Sequence, residues 1–253
     1  MNIFDEKLSY VIIDTQNHLL ARCALDHSQS QFQLSKVKIF SDDEGKWPGY
    51  QIVKIPKIGS LSDYNYFVLS ELHKYIETEF CLIIQYDGFV IDGSMFAKLF
   101  LEYDYIGAVW PHYDQYNVGC GGMSLRSKKL LQATSKITAN LTDYDIPEDL
   151  IICRYYRTLL EQEFHIRFAP AAVANHFSEE MMAQPWSTFS FHGPAFLPTL
   201  YANQIEFLFE NLSPQSEIKM MALERACARV GPRAVRALEA FQLRTGANPD
   251  SKV

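Results

Sequence analysis

The sequence lacks any apolar stretch of the roughly 20 residues that cross a bilayer. Residues 1–10 include Asp5 and Glu6 and no apolar core, so we expect no secretory signal there. The five cysteines are an odd number and none stands in a C-x-x-C pair, so their spacing suggests neither a zinc site nor a redox motif. Free thiols are typical of a reducing compartment. We therefore expect a cytoplasmic protein, either free or at the inner face of the membrane.

Positive charge is also scarce. The chain has 23 Lys and Arg against 30 Asp and Glu, a net charge of −7. Nucleic-acid binding needs a basic footprint, so we expect no nucleic-acid partner. Hydrophobic residues at 48% and charged residues at 21% are typical of a folded globular protein. A length of 253 residues allows one large domain with an appendage.

Short apolar runs alternate with segments of helical spacing, which predicts an α/β fold with a mixed, mainly parallel sheet flanked by helices. The predicted strands are Tyr10–Ile13, Lys36–Phe40, Tyr50–Ile55, Phe80–Ile84, Tyr105–Trp110, Met123–Leu125 and Phe168–Val173. The predicted helices of this region are Asn17–Leu25, Asp63–Thr78, Lys128–Thr134 and Pro147–Leu160. Residues Phe189–Pro194 are predicted to form a loop.

The C-terminal segment differs in charge. Residues 214–253 carry seven Lys or Arg against four Asp or Glu, and their spacing predicts two helices broken at Gly231–Pro232. We therefore divide the chain into a main domain, 1–205, and a helical C-terminal extension, 206–253. Residues 214–253 either pack on the main domain or offer a basic surface to a membrane or a partner protein.

Acidic residues follow several of the predicted strands, at the sheet edge where α/β proteins bind ligands. Such acids also serve as ordinary turn residues. Asp87 follows the most apolar strand, and a diphosphate-bound Mn²⁺ or Mg²⁺ needs one or two protein oxygens of this kind. His192 could add a nitrogen, which suits Mn²⁺ better than Mg²⁺. The acids concerned are Asp14, Asp42, Asp43, Asp87 and Asp114.

Three further segments have a functional and a structural interpretation. The cluster Gly119–Gly122 has neither the G-x-G-x-x-G order nor a Walker A lysine, but its backbone either approaches a ligand closely or makes a tight turn. Pro147–Glu148–Asp149 fits an ordinary helix start. Pro111–Val118 is either a mobile lid, whose Tyr113 and Tyr116 stack on a sugar or base, or a surface loop.

The order of these elements resembles the common core of GT-A-type glycosyltransferases. It consists of Gln85–Tyr86–Asp87 after a buried strand, the glycine cluster, Pro147–Glu148–Asp149 opening a helix, and Phe191–His192–Gly193. The resemblance covers roughly residues 8–195 and leaves out the C-terminal segment. More narrowly, the chain is similar to a little-characterised bacterial group of such enzymes, through Tyr103–Ala108, Gly121–Ser127 and the two later motifs.

The resemblance implies a nucleotide-sugar donor, with a UDP-sugar favoured. Asp87 would contact the metal and the diphosphate, and Gly121 and Gly122 would face the donor sugar and the acceptor. Arg126 or Lys128 would neutralise the leaving diphosphate, although Arg126 equally fits an ion pair that supports the loop. The donor-binding residues implied in this way are Asp14, Thr15, Gln85, Tyr86, Asp87, Gly121, Gly122 and Arg126, with Asp42 a weaker candidate.

The resemblance also assigns the chemistry. Asp149 would remove the proton of the acceptor hydroxyl with inversion, and Glu148 would bind the acceptor or support that acid. Asp87 and His192 would hold Mn²⁺ or Mg²⁺, although Gln85 stands in place of the family's first acid and weakens the expected metal requirement. The acceptor would be a glycan, a lipid-linked sugar or a protein, as in bacterial polysaccharide biosynthesis.

Two alternatives remain open in the sequence. With retaining stereochemistry, Asp149 would be a substrate contact and not a base. In a different class, the chain would be a non-catalytic nucleotide-binding or scaffold module acting through its basic helical segment.

Overall fold

The computed structural model describes residues 4–138, 144–180 and 187–246. The chain divides into two compact units, Met1–His192 and Gly193–Val253, whereas the sequence places the division at residue 205. Among the described residues, no helix is both long and apolar enough to span a membrane.

The first unit is built on a six-stranded sheet with the order β3-β2-β1-β4-β7-β6. β1 pairs in parallel with β2 and β4, β2 pairs in parallel with β3, and β7 runs antiparallel to β4 and β6. The predicted mixed, mainly parallel sheet is therefore confirmed. Its strands are β1 Leu8–Ile13, β2 Val37–Ser41, β3 Ile52–Lys54, β4 Phe80–Ile84, β6 Tyr105–Ile106 and β7 Ser124–Ser127.

Helices flank this sheet. Two of them continue into π-helical turns, Phe67–Glu71 and Ile151–Tyr155, where the sequence predicts regular helices. The six helices described in this unit are α1 His18–Gln31, α2 Leu61–Tyr66, α3 Lys128–Ile137, α4 Glu148–Leu150, α5 Arg157–Phe164 and α6 Ala171–Phe177. All six residues of β1 are buried, as expected of a parallel strand covered on both faces.

A small second sheet has the order β5-β9-β8 and was not predicted. Its strands are β5 Gly88–Val90, β8 Ser178–Glu179 and β9 Ser190–His192. Two predictions are wrong here. α6 occupies the second half of the predicted strand Phe168–Val173, of which only Phe168 bridges to the sheet, at Tyr105, and β9 lies in the predicted loop Phe189–Pro194. Phe168–Val173 is a short apolar run, whose type periodicity alone does not decide, and β9 is only three residues long.

The second unit is helical, as predicted. Its helices are α7 Leu197–Leu200, α8 Ile205–Asn211, α9 Glu217–Val230 and α10 Pro232–Thr245. Gly231, with a φ of 124°, separates α9 from α10 at the predicted break. Phe209 and Phe241 pack with ring centroids 5.6 Å apart in its core. The expected contact of residues 214–253 with a membrane or a protein stays a prediction.

Candidate active site

Asp14 and Asp87 lie at the carboxyl ends of two neighbouring parallel strands. The pairing of Ile12 with Ile84 sets the end of β1 beside the end of β4. Burial raises the pKa of Asp14 to about 6, and the negative charge of Asp87 adds to this shift. The two carboxylates therefore meet at one edge of the sheet, where the sequence predicted a ligand.

The loop after β1 is held by its own side chains. Asp14 Oδ1 accepts hydrogen bonds from the backbone N–H groups of Gln16, at 2.9 Å, and Asn17, at 2.6 Å. The buried Thr15 hydroxyl accepts from the backbone N–H of Ile58 at 3.0 Å. Asp14 thus acts as a turn residue at the start of α1, and Thr15 joins this loop to the segment after β3.

The turn after β4 brings Asp87 to His192. Gln85 and Gly88 exchange backbone hydrogen bonds of 2.7 and 3.1 Å, which place the buried Asp87 in the turn. β5 then pairs with β9 in a register that sets Gly88 opposite His192. His192 Nε2 lies 3.8 Å from Asp87 Oδ1. The structure therefore brings together the two residues that the resemblance assigned to the metal.

His192 also contacts two residues that the sequence analysis did not select, Cys120 and Glu180. Glu180 Oε1 lies 3.1 Å from His192 Nδ1, and Trp110 Nε1 donates to Glu180 Oε2 at 3.0 Å. Although burial lowers it, the pKa of His192 is raised well above its usual value by Cys120, Glu180 and Asp87. Glu180 follows a two-residue strand. Because so short a strand has no recognisable sequence pattern, the sequence could not have identified Glu180.

Asp149 is held against the glycine cluster at the start of α4. Its Oδ2 accepts from the backbone N–H of Gly121 at 2.9 Å, and its Oδ1 accepts from that of Leu150 at 2.8 Å. The side chain remains partly exposed. Burial raises the pKa of Asp149 to about 6, and the neighbouring negative charge of Glu148 contributes. The result is a carboxylate that is more basic than an ordinary aspartate.

Arg126 and Glu148 form a buried ion pair below this carboxylate. The two terminal nitrogens of Arg126 donate to the two oxygens of Glu148 at 2.7 and 2.8 Å, and Arg126 Nε donates to Ser124 Oγ at 3.0 Å. Ser124 Oγ in turn donates to the carbonyl oxygen of Gly121 at 3.1 Å. Because Arg126 is 0% exposed, the geometry favours its supporting role over direct contact with a donor.

Two other candidates, Asp42 and Lys128, lie at opposite ends of the strands. Asp42 binds His18, with 2.8 Å between Oδ1 and Nε2. Lys128 follows β7, whose last residue, Ser127, pairs with Phe80 at the amino end of β4. Lys128 therefore lies at the opposite end of the strands from Asp87. The expectation that it neutralises a leaving diphosphate is wrong. The antiparallel direction of β7 causes the error, since the sequence does not show strand direction.

The loop Pro111–Val118, interpreted from the sequence as either a lid or a surface loop, contacts the helical turn after α4. Arg154 stacks over the ring of Tyr113, with 3.6 Å from its guanidinium carbon to the ring centroid. Its terminal nitrogen also donates to the carbonyl oxygens of Gln115, at 2.8 Å, and Tyr116, at 3.2 Å. Tyr113 and Tyr116 are therefore engaged with the protein in this structure.

Adding a methyl group at Gly122 is expected to displace His192, because the new Cβ would lie 2.1 Å from His192 Nε2. We expect Gly122→Ala to lower the free energy of unfolding by about 1–3 kcal/mol, as overpacking does. Denaturant titration measures this loss. Gly59→Ala is the matched control, since its Cβ would meet only Asp63 Oδ2 at 3.6 Å. Equal stability of the two variants would contradict the packing described here.

The chain matches one family model. Residues 49–192 match the model of a family described as "Protein of unknown function (DUF5672)", and they make up more than half of the chain. The chain belongs to this family. The matched span of this DUF5672 protein contains Asp87, the glycine cluster, Asp149 and His192, and it leaves out Asp14. No curated protein matched the chain.

Solved structures of similar fold include a glycosyltransferase involved in glycosylation of the major capsid of PBCV-1, which is 10% identical, with a TM-score of 0.49 over 74% of this chain and 92% of its own. The galactosyltransferase LgtC, solved with donor and acceptor sugar analogues, is 12% identical, with a TM-score of 0.42 over 85% and 100%. Glucosyl-3-phosphoglycerate synthase from Mycobacterium tuberculosis, solved with Mn²⁺ and uridine-diphosphate-glucose, is 8% identical, with a TM-score of 0.35 over 49% and 57%.

Proposed function

We propose that this DUF5672 protein is an inverting glycosyltransferase, which transfers a sugar from a nucleotide-diphosphate donor to a hydroxyl of a glycan, lipid-linked or protein acceptor. One observation carries the proposal. Two successive glycines contact the two groups that such a reaction needs: Gly121 binds the carboxylate of Asp149, and Gly122 lies against His192 beside Asp87. A base and a diphosphate site are thus joined by one short backbone segment that has no side chains to block a ligand.

Asp149 is the proposed base. Proton transfer to a positioned carboxylate is most efficient when its pKa approaches the working pH. With a pKa of about 6, Asp149 is mostly ionised at pH 7 and still more basic than a free aspartate. It would take the proton of the acceptor hydroxyl while that oxygen attacks the anomeric carbon and the bond to the diphosphate breaks.

The buried ion pair positions this base. The pair that Arg126 forms with Glu148, together with the link from Ser124 to Gly121, fixes the start of α4 and the glycine cluster. We propose that Glu148 supports Asp149 in this way and does not bind the acceptor. Arg126 then acts by holding the glycine cluster and the start of α4 in place, and it has no direct contact with the donor.

A cation is the proposed partner of the diphosphate. The site edge carries the carboxylates of Asp14, Asp87 and Glu180, which would repel a diphosphate, and Arg126 is fully engaged with Glu148. Asp87 Oδ1 and His192 Nε2, 3.8 Å apart, are oxygen and nitrogen donors of the kind that Mn²⁺ accepts. A bound divalent cation would neutralise charge on the leaving diphosphate. The residues present therefore fit a cation despite Gln85.

Mass spectrometry and NMR of reaction products test the proposal. The full chain is incubated with UDP-, GDP-, CDP-, ADP- and dTDP-sugars, with and without Mn²⁺, together with simple glycoside and lipid-linked acceptors. We expect release of one nucleoside diphosphate and a product whose anomeric configuration is opposite to that of the donor. A product of the same configuration would reject Asp149 as the base. Binding without release from any donor would instead favour a non-catalytic module.

A further inference from the structure

The side chains of Cys120, Glu180 and His192 form a compact cluster of possible metal donors. One donor atom from each residue lies within 4.8 Å of the other two. The three residues come from separate parts of the chain: the glycine cluster, the position after β8, and the end of β9. A sulfur, an oxygen and a nitrogen donor thus converge in the first unit. The sequence predicted Asp87 and His192 as ligands and pointed to neither of the other two.

The two ring nitrogens of His192 face two different carboxylates. Its Nδ1 faces the cluster, 3.1 Å from Glu180 Oε1, and its Nε2 faces Asp87 Oδ1 at 3.8 Å. Metal-binding histidines usually direct their second ring nitrogen to a carboxylate or carbonyl, which fixes the ring. Trp110 Nε1 donates to Glu180 Oε2 at 3.0 Å and so leaves Oε1 toward the ring. Asp87 therefore contacts His192, and Trp110 contacts Glu180, from outside the cluster.

The backbone at Cys120 gives an independent indication. Cys120 has a φ of 69°, in the left-handed region that glycine adopts without strain. Its neighbours on both sides are glycines. A side chain in this conformation costs about 1 kcal/mol or more, and such strain concentrates at functional sites. Metal binding by the sulfur would explain why a fully buried thiol occupies this strained position.

We propose that Cys120, Glu180 and His192, through its Nδ1, bind one divalent cation of the Zn²⁺ type, with Cys120 as thiolate and Asp87 orienting the imidazole. A cation on the diphosphate would then be held by Asp87 without His192. Thiolate, imidazole and carboxylate are the ligands of Zn²⁺, whereas Mg²⁺ takes oxygen ligands almost alone. On binding, the sulfur–metal bond forms as the thiol proton leaves to solvent. The two negative charges of thiolate and carboxylate balance the cation. Three protein ligands leave a fourth position for water. This site does not depend on the chain being a sugar transferase.

Cobalt spectroscopy of the full chain tests the site without any sugar substrate. The protein is freed of metal with a chelator and titrated with Co²⁺, after which Zn²⁺ is added in competition. We expect one Co²⁺ per chain, a sulfur-to-cobalt charge-transfer band in the near ultraviolet, and loss of that band on adding one equivalent of Zn²⁺. Cobalt binding without the band, or no stoichiometric binding, would overturn the proposal.

Variants assign the ligands. Cys120→Asn suits the left-handed backbone and is expected to remove the charge-transfer band, whereas Cys23→Ser, outside the cluster, should retain it. Glu180→Gln keeps the size of the side chain and should weaken Zn²⁺ binding at least about ten-fold. Circular dichroism shows whether each variant is folded. If Cys120→Asn does not fold, the wild-type band and the Glu180→Gln affinity decide the question. An unchanged band in folded Cys120→Asn would mean that another cysteine supplies the sulfur and would overturn the proposal.

Discussion

Replacing Asp149 with asparagine is expected to lower turnover by about two to four orders of magnitude, the usual contribution of a general base. The amide is close in size to the carboxylate, and its oxygen can still accept a hydrogen bond from Gly121 or Leu150, so the fold should be kept. It cannot take a proton from an acceptor hydroxyl. Donor affinity should change little, because the carboxylate faces the acceptor side in the proposed mechanism. Steady-state kinetics of folded protein measures both quantities.

The pH dependence adds a signature that a structural role would not produce. With the pKa of Asp149 at about 6, wild-type kcat/KM should rise about ten-fold per pH unit below 6 and level off above it. Lowering the pH protonates the carboxylate, so activity is lost on the acid side. Asp14 has a similar pKa. The loss of activity at acid pH is therefore assigned to Asp149 only if it disappears in Asp149→Asn. Asp114 is an exposed acid of the 111–118 loop, and Asp114→Asn is the control, which should still lose activity at acid pH.

Replacing Arg126 with methionine is expected to cause the largest loss of stability. It leaves the carboxylate of Glu148 buried without its counter-charge, and breaking a buried pair in this way costs about 3–5 kcal/mol. Arg126 is fully buried and all three of its guanidinium nitrogens donate hydrogen bonds. For a unit of this size the unfolding temperature should fall by about 6–20 °C. Differential scanning calorimetry measures the change.

The double variant Arg126→Met/Glu148→Met distinguishes the loss of the ion pair from the burial of one unpaired charge. Because no charge is then left buried, its loss of stability should be smaller than that of Arg126→Met alone. Its turnover should nevertheless fall, since the start of α4 and the glycine cluster lose their connection. If Arg126→Met is as stable as the wild type, the pair does not hold the loop and the assignment of Arg126 as a positioning residue is wrong.

Much of the fold could be predicted because the apolar runs and their ends are local features. β1 and β4 are mostly apolar strands. Asp14 is the first residue after β1 and Asp87 the third after β4, so their position at one sheet edge follows from parallel pairing. The break at Gly231–Pro232 is equally local. The pairing of Asp87 with His192 came from the resemblance and not from any spacing within the sequence.

The rest depends on contacts between distant residues. Cys120, Glu180 and His192 converge only because β9 pairs with both β5 and β8, and none of these three-residue or shorter strands has a pattern of its own. Lys128 was misplaced because the sequence does not show that β7 runs antiparallel to β4. The burial of Arg126 likewise depends on its partner Glu148, 22 residues away.

Thermal stabilisation by nucleoside diphosphates tests the central claim, a nucleotide-sugar site at the edge formed by Asp14, Asp87 and His192. The full chain is heated with UDP, GDP, CDP, ADP or dTDP, each with and without Mn²⁺ or Zn²⁺. At 100 times its Kd, a ligand adds about 2.7 kcal/mol, so one nucleotide should raise the unfolding temperature by about 5–10 °C. We expect this rise to need the cation and to be absent in Asp87→Asn. No rise with any of the five nucleotides would contradict the account.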